Sequence, residues 1–267
     1  MTSWTRHHPL LAFYVLAYLV SWAIELPLAA ARQGWLPLQP PYAMHYLASF
    51  GPMVAALVVT GVTGGSSGLR DLGRRLSVRR RALTVALLAG LVPLALFGLA
   101  AIVEHISLGT WPNIALLGDV DFLPPLGIAG AVVFWLLTFG LGEEVGWRGF
   151  AQPRLQVRHG TTKAALLASV PWALWHLPIF LYKDTCLAMG LTAGLPMLLV
   201  SLAATSIVFG WLVDIARGNL WPAILFHGIF DLLSASNAAE PTRAFSLTDT
   251  VTLMPSDRLL ALPVIKR

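Results

Sequence analysis

Residues 127–150 read GIAGAVVFWLLTFGLGEEVGWRGF, an apolar run whose last third holds two acids and an arginine. A membrane-spanning helix needs about 20 mostly apolar residues, and this stretch is long enough. An ionisable side chain near the centre of a membrane helix costs about 2.5 to 3.5 kcal/mol, so three of them need partners or water. The stretch therefore predicts a membrane helix, with Glu143, Glu144 and Arg148 as candidate functional residues.

The rest of the chain is similarly apolar. Of its 267 residues, 57% are hydrophobic and 12% are charged, and the mean hydropathy is +0.71. A soluble domain cannot cover its surface with so few polar groups, so the composition excludes a soluble globular protein. We predict an all-α, polytopic transmembrane helix bundle that forms a single membrane domain over residues 1–267.

The distribution of apolar residues predicts seven membrane helices. They lie near residues 9–31, 43–63, 82–103, 127–150, 163–182, 193–215 and 220–236. A weaker apolar stretch near the C-terminus is interrupted by Asp249, Pro255, Asp257 and Arg258 and is a candidate for a shorter or interfacial element. We therefore expect about seven to eight membrane helices.

An arginine-rich loop between the second and third predicted helices indicates the orientation. Its arginines are Arg70, Arg74, Arg75, Arg79, Arg80 and Arg81. Short cytoplasmic loops carry an excess of Lys and Arg, which places this loop and the N-terminus in the cytoplasm. The net charge of +5 comes mostly from this loop, so we expect no nucleic-acid partner. The chain is predicted to be a multi-pass protein of the cytoplasmic (inner) membrane.

The charged cluster of the fourth predicted helix contains an internal pair. Glu144 and Arg148 stand four residues apart, so they lie on one helical face and can form an ion pair. Glu143 is rotated by about 100° from Glu144 and is left without a partner by this pairing. An available carboxylate suits a general base that acts on water. The alternative is a charge cluster at a helix end, solvated by the cytoplasm.

Two other polar motifs fall inside predicted helices. His176 lies in the segment WALWHLP, between Pro171 and Pro178, and prolines bend a helix and free backbone carbonyls. A lone histidine there could instead donate a hydrogen bond to a neighbouring helix. His227 and Asp231 stand four residues apart and can hydrogen-bond to each other, either as part of a reactive site or as a polar pair joining two helices.

The three motifs lie at compatible depths. With about 1.5 Å of rise per residue, Glu143, His176 and His227 are all expected roughly 10 to 20 Å from the cytoplasmic boundary. A carboxylate base with two histidines can activate water directly or hold a divalent metal, such as zinc, that does so. The sequence leaves both mechanisms open, because it contains no HExxH pair.

The order of the motifs resembles the CAAX protease and bacteriocin-processing (CPBP, or Abi) family. The matching residues are Glu143-Glu144-x-x-x-Arg148, Trp172-x-x-x-His176 and His227-x-x-x-Asp231. The likeness covers roughly residues 125–236, the predicted catalytic core, and is weaker in residues 49–52 and 68–73. In that family the first glutamate activates a water, and the histidines and the last polar residue complete the site and stabilise the oxyanion.

This chain departs from the family's pattern at two positions. Where the second motif commonly has phenylalanine, this chain has Trp172, which we expect to alter the pocket wall rather than the chemistry. Where the last motif often ends in asparagine, this chain has Asp231, and a carboxylate cannot donate to an oxyanion unless it is protonated. We expect Asp231 to orient His227 or to assist a metal.

The resemblance implies an intramembrane endopeptidase, related to CAAX prenyl proteases, in the cytoplasmic membrane of a prokaryote. Glu143 would act as the base on water, and Glu144 and Arg148 would hold it in place. His176 and His227 would stabilise the tetrahedral intermediate or bind the metal. The expected partners are the lipid bilayer and peptide or protein segments near the cytoplasmic face, whether prenylated or not.

Two other functional classes remain open. A non-enzymatic immunity or scaffold protein of the same fold would keep its biological activity in a Glu143→Ala variant. A proton-coupled transporter would use Glu25, Glu143 and Glu144 as intramembrane carboxylates and would move ions into liposomes. Against transport, the charges concentrate toward one face of the membrane and the sequence shows no repeated broken-helix pair.

Overall fold

The computed structural model describes residues 2–120 and 123–239. In this part of the chain the structure is helical, with short 3-10 and π-helical segments and no β-strand. The predicted all-α bundle is therefore confirmed for the described residues. The apolar stretch considered for an eighth membrane element lies outside them.

Eleven α-helices follow one another along the described chain. They are α1 (Thr2–His7), α2 (Pro9–Arg32), α3 (His45–Ala48), α4 (Gly51–Arg74), α5 (Arg80–Leu108), α6 (Gly127–Trp135), α7 (Gly142–Gly146), α8 (Gln152–Trp175), α9 (Asp184–Met189), α10 (Leu191–Ile215) and α11 (Trp221–Ala235). Within these residues, five helical runs are long and apolar enough to cross a membrane, and α11 is a shorter apolar helix. The runs are Pro9–Arg32, Tyr42–Arg74, Arg80–Leu108, Gly127–Leu181 and Leu191–Ile215.

The fourth and fifth predicted helices belong to one helical run, Gly127–Leu181. The run changes direction at Gly160, where φ is 71° and ψ is 169°, a conformation that favours glycine. Two π-helical segments, Leu136–Leu141 and Trp147–Ala151, flank the five-residue helix α7. π-Helical turns are frequent at functional sites, and here they flank the two candidate acids.

Small residues face the interior of the bundle and large apolar residues face outward. In α5, Ala86 and Gly90 are buried. Their neighbours Leu87, Leu88 and Leu91 are 55%, 60% and 56% exposed. Lipid tails are as apolar as leucine, so membrane helices gain stability from the close packing of small residues. This distribution is what a bundle embedded in a bilayer requires.

Glycines allow neighbouring helices to approach α7 closely. A Cβ on Gly142 would lie 2.8 Å from the Ser49 carbonyl oxygen, and a Cβ on Gly146 would lie 2.4 Å from the Pro52 Cβ. The start of α4 therefore packs directly against the helix that carries the two acids. Gly228 of α11 allows a similarly close approach to the first π-helical segment.

These contacts bring the three motifs together. Helix α4 contacts α7, α11 contacts the π-helical segment before α7, and α10 packs along α8. Helix α2 packs against α4 and against the 3-10 segment Leu177–Leu181 that follows α8. The segments 143–148, 172–176 and 227–231 consequently meet inside one part of the bundle.

Candidate active site

Glu143 is buried and held by two tryptophans. Its side chain is 1% exposed. Its Oε2 accepts hydrogen bonds from Trp172 Nε1 at 2.8 Å and from Trp147 Nε1 at 3.3 Å. The expectation that Glu143 has no partner is therefore wrong. Hydrogen bonds to the charged form stabilise a buried carboxylate and fix its orientation.

Trp172 connects the three motifs. Its indole N–H donates to Glu143, its ring lies 4.0 Å below the Arg148 guanidinium, and it meets the His227 ring edge-on at 5.7 Å. A phenylalanine would keep the ring contacts and lose the donor. Trp172 is therefore more than part of the pocket wall, because it contacts the candidate base directly, and its effect on the chemistry stays to be tested.

Glu144 joins two motifs through one oxygen atom. Its Oε1 accepts from Arg148 Nη1 at 3.0 Å, as the spacing of four residues predicts, and lies 2.9 Å from His227 Nδ1. Glu144 is 0% exposed and Arg148 is 2% exposed. Ionised groups buried this deeply cost several kcal/mol each unless they are paired, so the three side chains depend on one another.

Arg148 also connects the acids to α10. Its Nη2 donates to Ser206 Oγ at 3.0 Å, and its guanidinium lies 4.9 Å from the Phe209 ring centroid. A planar, delocalised guanidinium suits such a buried and stacked position better than a lysine ammonium does. Arg148 thereby links Glu144 of α7 to Ser206 of α10.

His227 is held between two carboxylates. Its Nδ1 faces Glu144, and its Nε2 lies 3.4 Å from Asp231 Oδ2, one helical turn further along α11. An ionised carboxylate only accepts hydrogen bonds, so the ring between these two carboxylates carries a proton on each nitrogen. Of the two roles expected for Asp231, this geometry favours that of orienting His227.

His176 joins the site through Trp172. Its Nδ1 lies 2.8 Å from the Trp172 carbonyl oxygen, and its ring meets the Trp175 ring edge-on at 4.8 Å. A carbonyl only accepts, so the network assigns the proton to Nδ1 and leaves the lone pair of a neutral ring on Nε2. His176 therefore presents Nε2 as an acceptor.

The site residues do not form a ready metal centre. In the described ranges, no three His, Cys, Asp or Glu side chains are grouped so that they could hold a metal ion. Both ring nitrogens of His227 face carboxylates, and two indoles occupy Oε2 of Glu143. These atoms of His227 and Glu143 are therefore already paired within the site.

Exposure is uneven across the site. Glu143 and Glu144 are almost fully buried, whereas the Asp231 side chain is 25% exposed and His176 is half-buried. Asp231 and His176 are therefore the site side chains that lie nearest the surface of the bundle.

The part of the chain that contains the three motifs is similar to known proteins. Residues 125–233 match the family model described as type II CAAX prenyl endopeptidase Rce1-like. The chain is 33% identical over 118 residues to CAAX prenyl protease 2 of Methanococcus maripaludis, an alignment covering 43% of this chain and 41% of that relative. The resemblance to CAAX proteases is confirmed for this region, and the chain spans less than half the length of the relative.

Proposed function

We propose that this chain is an intramembrane endopeptidase of the CAAX prenyl protease type, which hydrolyses peptide bonds near the cytoplasmic membrane face. Glu143 carries the proposal, because two indoles hold this buried carboxylate within a region that matches an endopeptidase family. Both indole bonds go to Oε2, which leaves Oε1 to bind a water. A carboxylate oriented in this way suits a general base.

In the proposed mechanism, these side chains carry out the steps of peptide hydrolysis. Glu143 takes a proton from the water that attacks the scissile carbonyl, and later gives a proton to the leaving amine. The attack produces a tetrahedral oxyanion that needs a donor already in place. His227 is held through its Nδ1–H by Glu144, and as an imidazolium it also carries a proton on Nε2, which donates to this oxyanion from beside Asp231. His176 Nε2 accepts a hydrogen bond from the attacking water.

The arginine-rich segment of residues 70–81, which covers the end of α4, the turn after it and the start of α5, supports the proposed orientation and location. Its arginines indicate a cytoplasmic loop, and hence a cytoplasmic N-terminus, in a cytoplasmic (inner) membrane of a prokaryote. We propose membrane-proximal peptide or protein segments as substrates. The name of the similar protein, CAAX prenyl protease 2, makes prenylated C-terminal peptides one class to test.

Cleavage of defined peptides tests the proposal. Purified protein in lipid nanodiscs is incubated with membrane-proximal peptides, with and without a prenylated C-terminal cysteine. Wild type is compared with Glu143→Ala and His227→Ala. The control is Glu104→Gln, since Glu104 is a buried carboxyl on α5 bonded to Thr110. We expect the wild type and the Glu104→Gln control to cleave the peptides, and the two site variants not to cleave them. Cleavage that survives both site substitutions would overturn the site.

The same preparation separates the alternatives. A water-activating glutamate predicts that a chelator leaves cleavage unchanged, whereas loss on chelation and recovery with zinc would select a metal mechanism. Ion flux into liposomes without any cleavage would favour a transporter. Biological activity that persists in Glu143→Ala would favour a non-enzymatic immunity or scaffold role.

A further inference from the structure

The turn that carries His176 has irregular backbone hydrogen bonds. The His176 N–H donates to the Ala173 carbonyl at 3.1 Å, and the Ile179 N–H donates to the His176 carbonyl at 3.1 Å. The chain has therefore tightened from α-helical to 3-10 spacing. The carbonyls of Trp172 and Trp175, which an α-helix would pair with the N–H groups of residues 176 and 179, lose these regular partners.

Two side chains pair with the carbonyls that lack their α-helical partners. The His176 ring pairs with the Trp172 carbonyl through Nδ1 at 2.8 Å. Trp22 of helix α2 donates its indole N–H to the Trp175 carbonyl at 2.9 Å. A buried carbonyl without a donor costs free energy, so the Trp22 bond stabilises this backbone geometry. Trp22 thus holds the residue directly before His176.

The same face of α2 holds the far end of the turn. Tyr182 follows the 3-10 segment Leu177–Leu181 and donates its hydroxyl to Glu25 Oε1 at 2.9 Å. His45 Nδ1 lies 2.6 Å from that hydroxyl. Glu25 is 1% exposed and lies three residues after Trp22, on the same side of the helix. Burial, together with the Glu25 charge, raises the pKa of Tyr182, so its hydroxyl stays protonated and can donate.

Further contacts extend this face in both directions. The Tyr18 hydroxyl donates to the Pro171 carbonyl at 2.5 Å, and Gln33 Nε2 donates to the Leu181 carbonyl at 2.8 Å. Donors on α2, together with Gln33 just after it, therefore bond to backbone carbonyls on both sides of His176, from Pro171 to Leu181. We call this set of contacts, centred on Trp22 and the Glu25–Tyr182 bond, the α2 clasp.

We propose that Trp22 and Glu25 are positioning residues for His176, so that helix α2 is part of the catalytic apparatus although it lies outside the matched residues 125–233. Trp22 fixes the backbone before the histidine, and Glu25 fixes the backbone after it through Tyr182. Catalytic groups must be held within about 0.5 Å of their productive geometry, so loosening this turn slows the reaction. The kinetic part of this inference rests on the proposed peptidase function.

Single-group substitutions test the clasp. Trp22→Phe and Tyr182→Phe each remove one donor and keep an aromatic ring. Trp221→Phe is the matched control, because Trp221 Nε1 makes the same kind of bond, 2.8 Å long, to the Leu76 carbonyl outside this turn. In the peptide cleavage assay we expect kcat to fall about 10-fold in both clasp variants, with KM within about 2-fold. We expect the control to keep the wild-type kcat.

Hydrogen–deuterium exchange measured by mass spectrometry reports on the clasp without requiring activity. The segment 173–183 is expected to exchange faster in Trp22→Phe and Tyr182→Phe at an unchanged melting temperature, and at the wild-type rate in Trp221→Phe. Unchanged exchange in both clasp variants would overturn the clasp, and faster exchange with a wild-type kcat would overturn its positioning role. If wild type cleaves no peptide, the proposed function fails, while exchange still decides whether α2 holds the turn.

Discussion

The indole nitrogen of Trp172 lies 2.8 Å from the Oε2 atom of Glu143. This bond connects the second sequence motif to the first across the interior of the bundle. Trp147 donates to the same oxygen at 3.3 Å, so one carboxylate oxygen holds the side chain in place. The other oxygen is then available to a reacting water, which is the arrangement a general base requires.

Trp172→Phe tests whether this bond serves the reaction. The variant keeps an aromatic ring beside Arg148 and His227 and loses only the N–H donor to Glu143. A hydrogen bond to a charged group contributes about 1.5 to 3 kcal/mol, so kcat/KM for peptide cleavage should fall about 10- to 100-fold.

Trp135→Phe is the control for that substitution. The Trp135 indole nitrogen is buried and has no hydrogen-bond partner among the residues that the structure describes. Removing its N–H should leave kcat/KM within about 2-fold of wild type. Equal rates in wild type and Trp172→Phe would show that the indole bond to Glu143 does not contribute to catalysis.

Arg148→Met tests the dependence of the buried charges on one another. The substitution leaves Glu144 without its guanidinium partner, and breaking a buried pair costs about 3 to 5 kcal/mol. The melting temperature in detergent should fall by about 10 °C. Asp71→Asn breaks a pair with Arg74 whose side chains are 66% and 67% exposed, and it should shift the melting temperature by less than about 2 °C. Equal shifts in melting temperature for Arg148→Met and Asp71→Asn would show that burial of the Glu144–Arg148 pair does not increase its contribution to stability.

Asp231→Asn tests the position where the chain departs in charge from the family pattern. The Oδ2 atom of Asp231 lies 3.4 Å from His227 Nε2, and asparagine keeps both the shape of the side chain and an oxygen acceptor. We expect kcat/KM within about 5-fold of wild type, because a partly exposed ion pair contributes little. Asp231→Ala removes the contact and should lower kcat/KM at least about 10-fold. An asparagine variant as slow as the alanine variant would show that the charge itself is required.

Gly146→Ala tests the close packing that places α7. The added Cβ would lie 2.4 Å from the Pro52 Cβ and 2.6 Å from its carbonyl carbon. Overpacking of this kind costs about 1 to 3 kcal/mol, so the melting temperature should fall by about 5 °C. Gly98→Ala is the control, since a Cβ there meets nothing within 4 Å and alanine favours the helix. If Gly146→Ala has the same melting temperature as Gly98→Ala, α4 can move away from α7 without loss of stability.

The helices and the contacts within each helix could be predicted from the sequence. The length of apolar runs identifies membrane helices, and a period of 3.6 residues fixes pairs such as Glu144 with Arg148 and His227 with Asp231. The continuity of the run Gly127–Leu181 was not predicted, because its polar middle reads as a loop between two helices.

Contacts between helices could not be predicted from spacing. The bond between Glu144 and His227 and the bond between Arg148 and Ser206 depend on how each helix is rotated against its neighbours. The bond from Trp172 to Glu143 could not be predicted either, because spacing does not show where the indole nitrogen, which phenylalanine lacks, points.

The most direct measurement is single-turnover peptide cleavage by Glu143→Gln, with Glu104→Gln as the matched variant. Glutamine keeps the size of the side chain and an oxygen acceptor for the indoles, but it cannot take a proton from water at neutral pH. We predict that cleavage by Glu143→Gln falls about 1000-fold or more with peptide binding unchanged, and that Glu104→Gln cleaves like wild type. Cleavage by Glu143→Gln at the wild-type rate would contradict the assignment of Glu143 as the base.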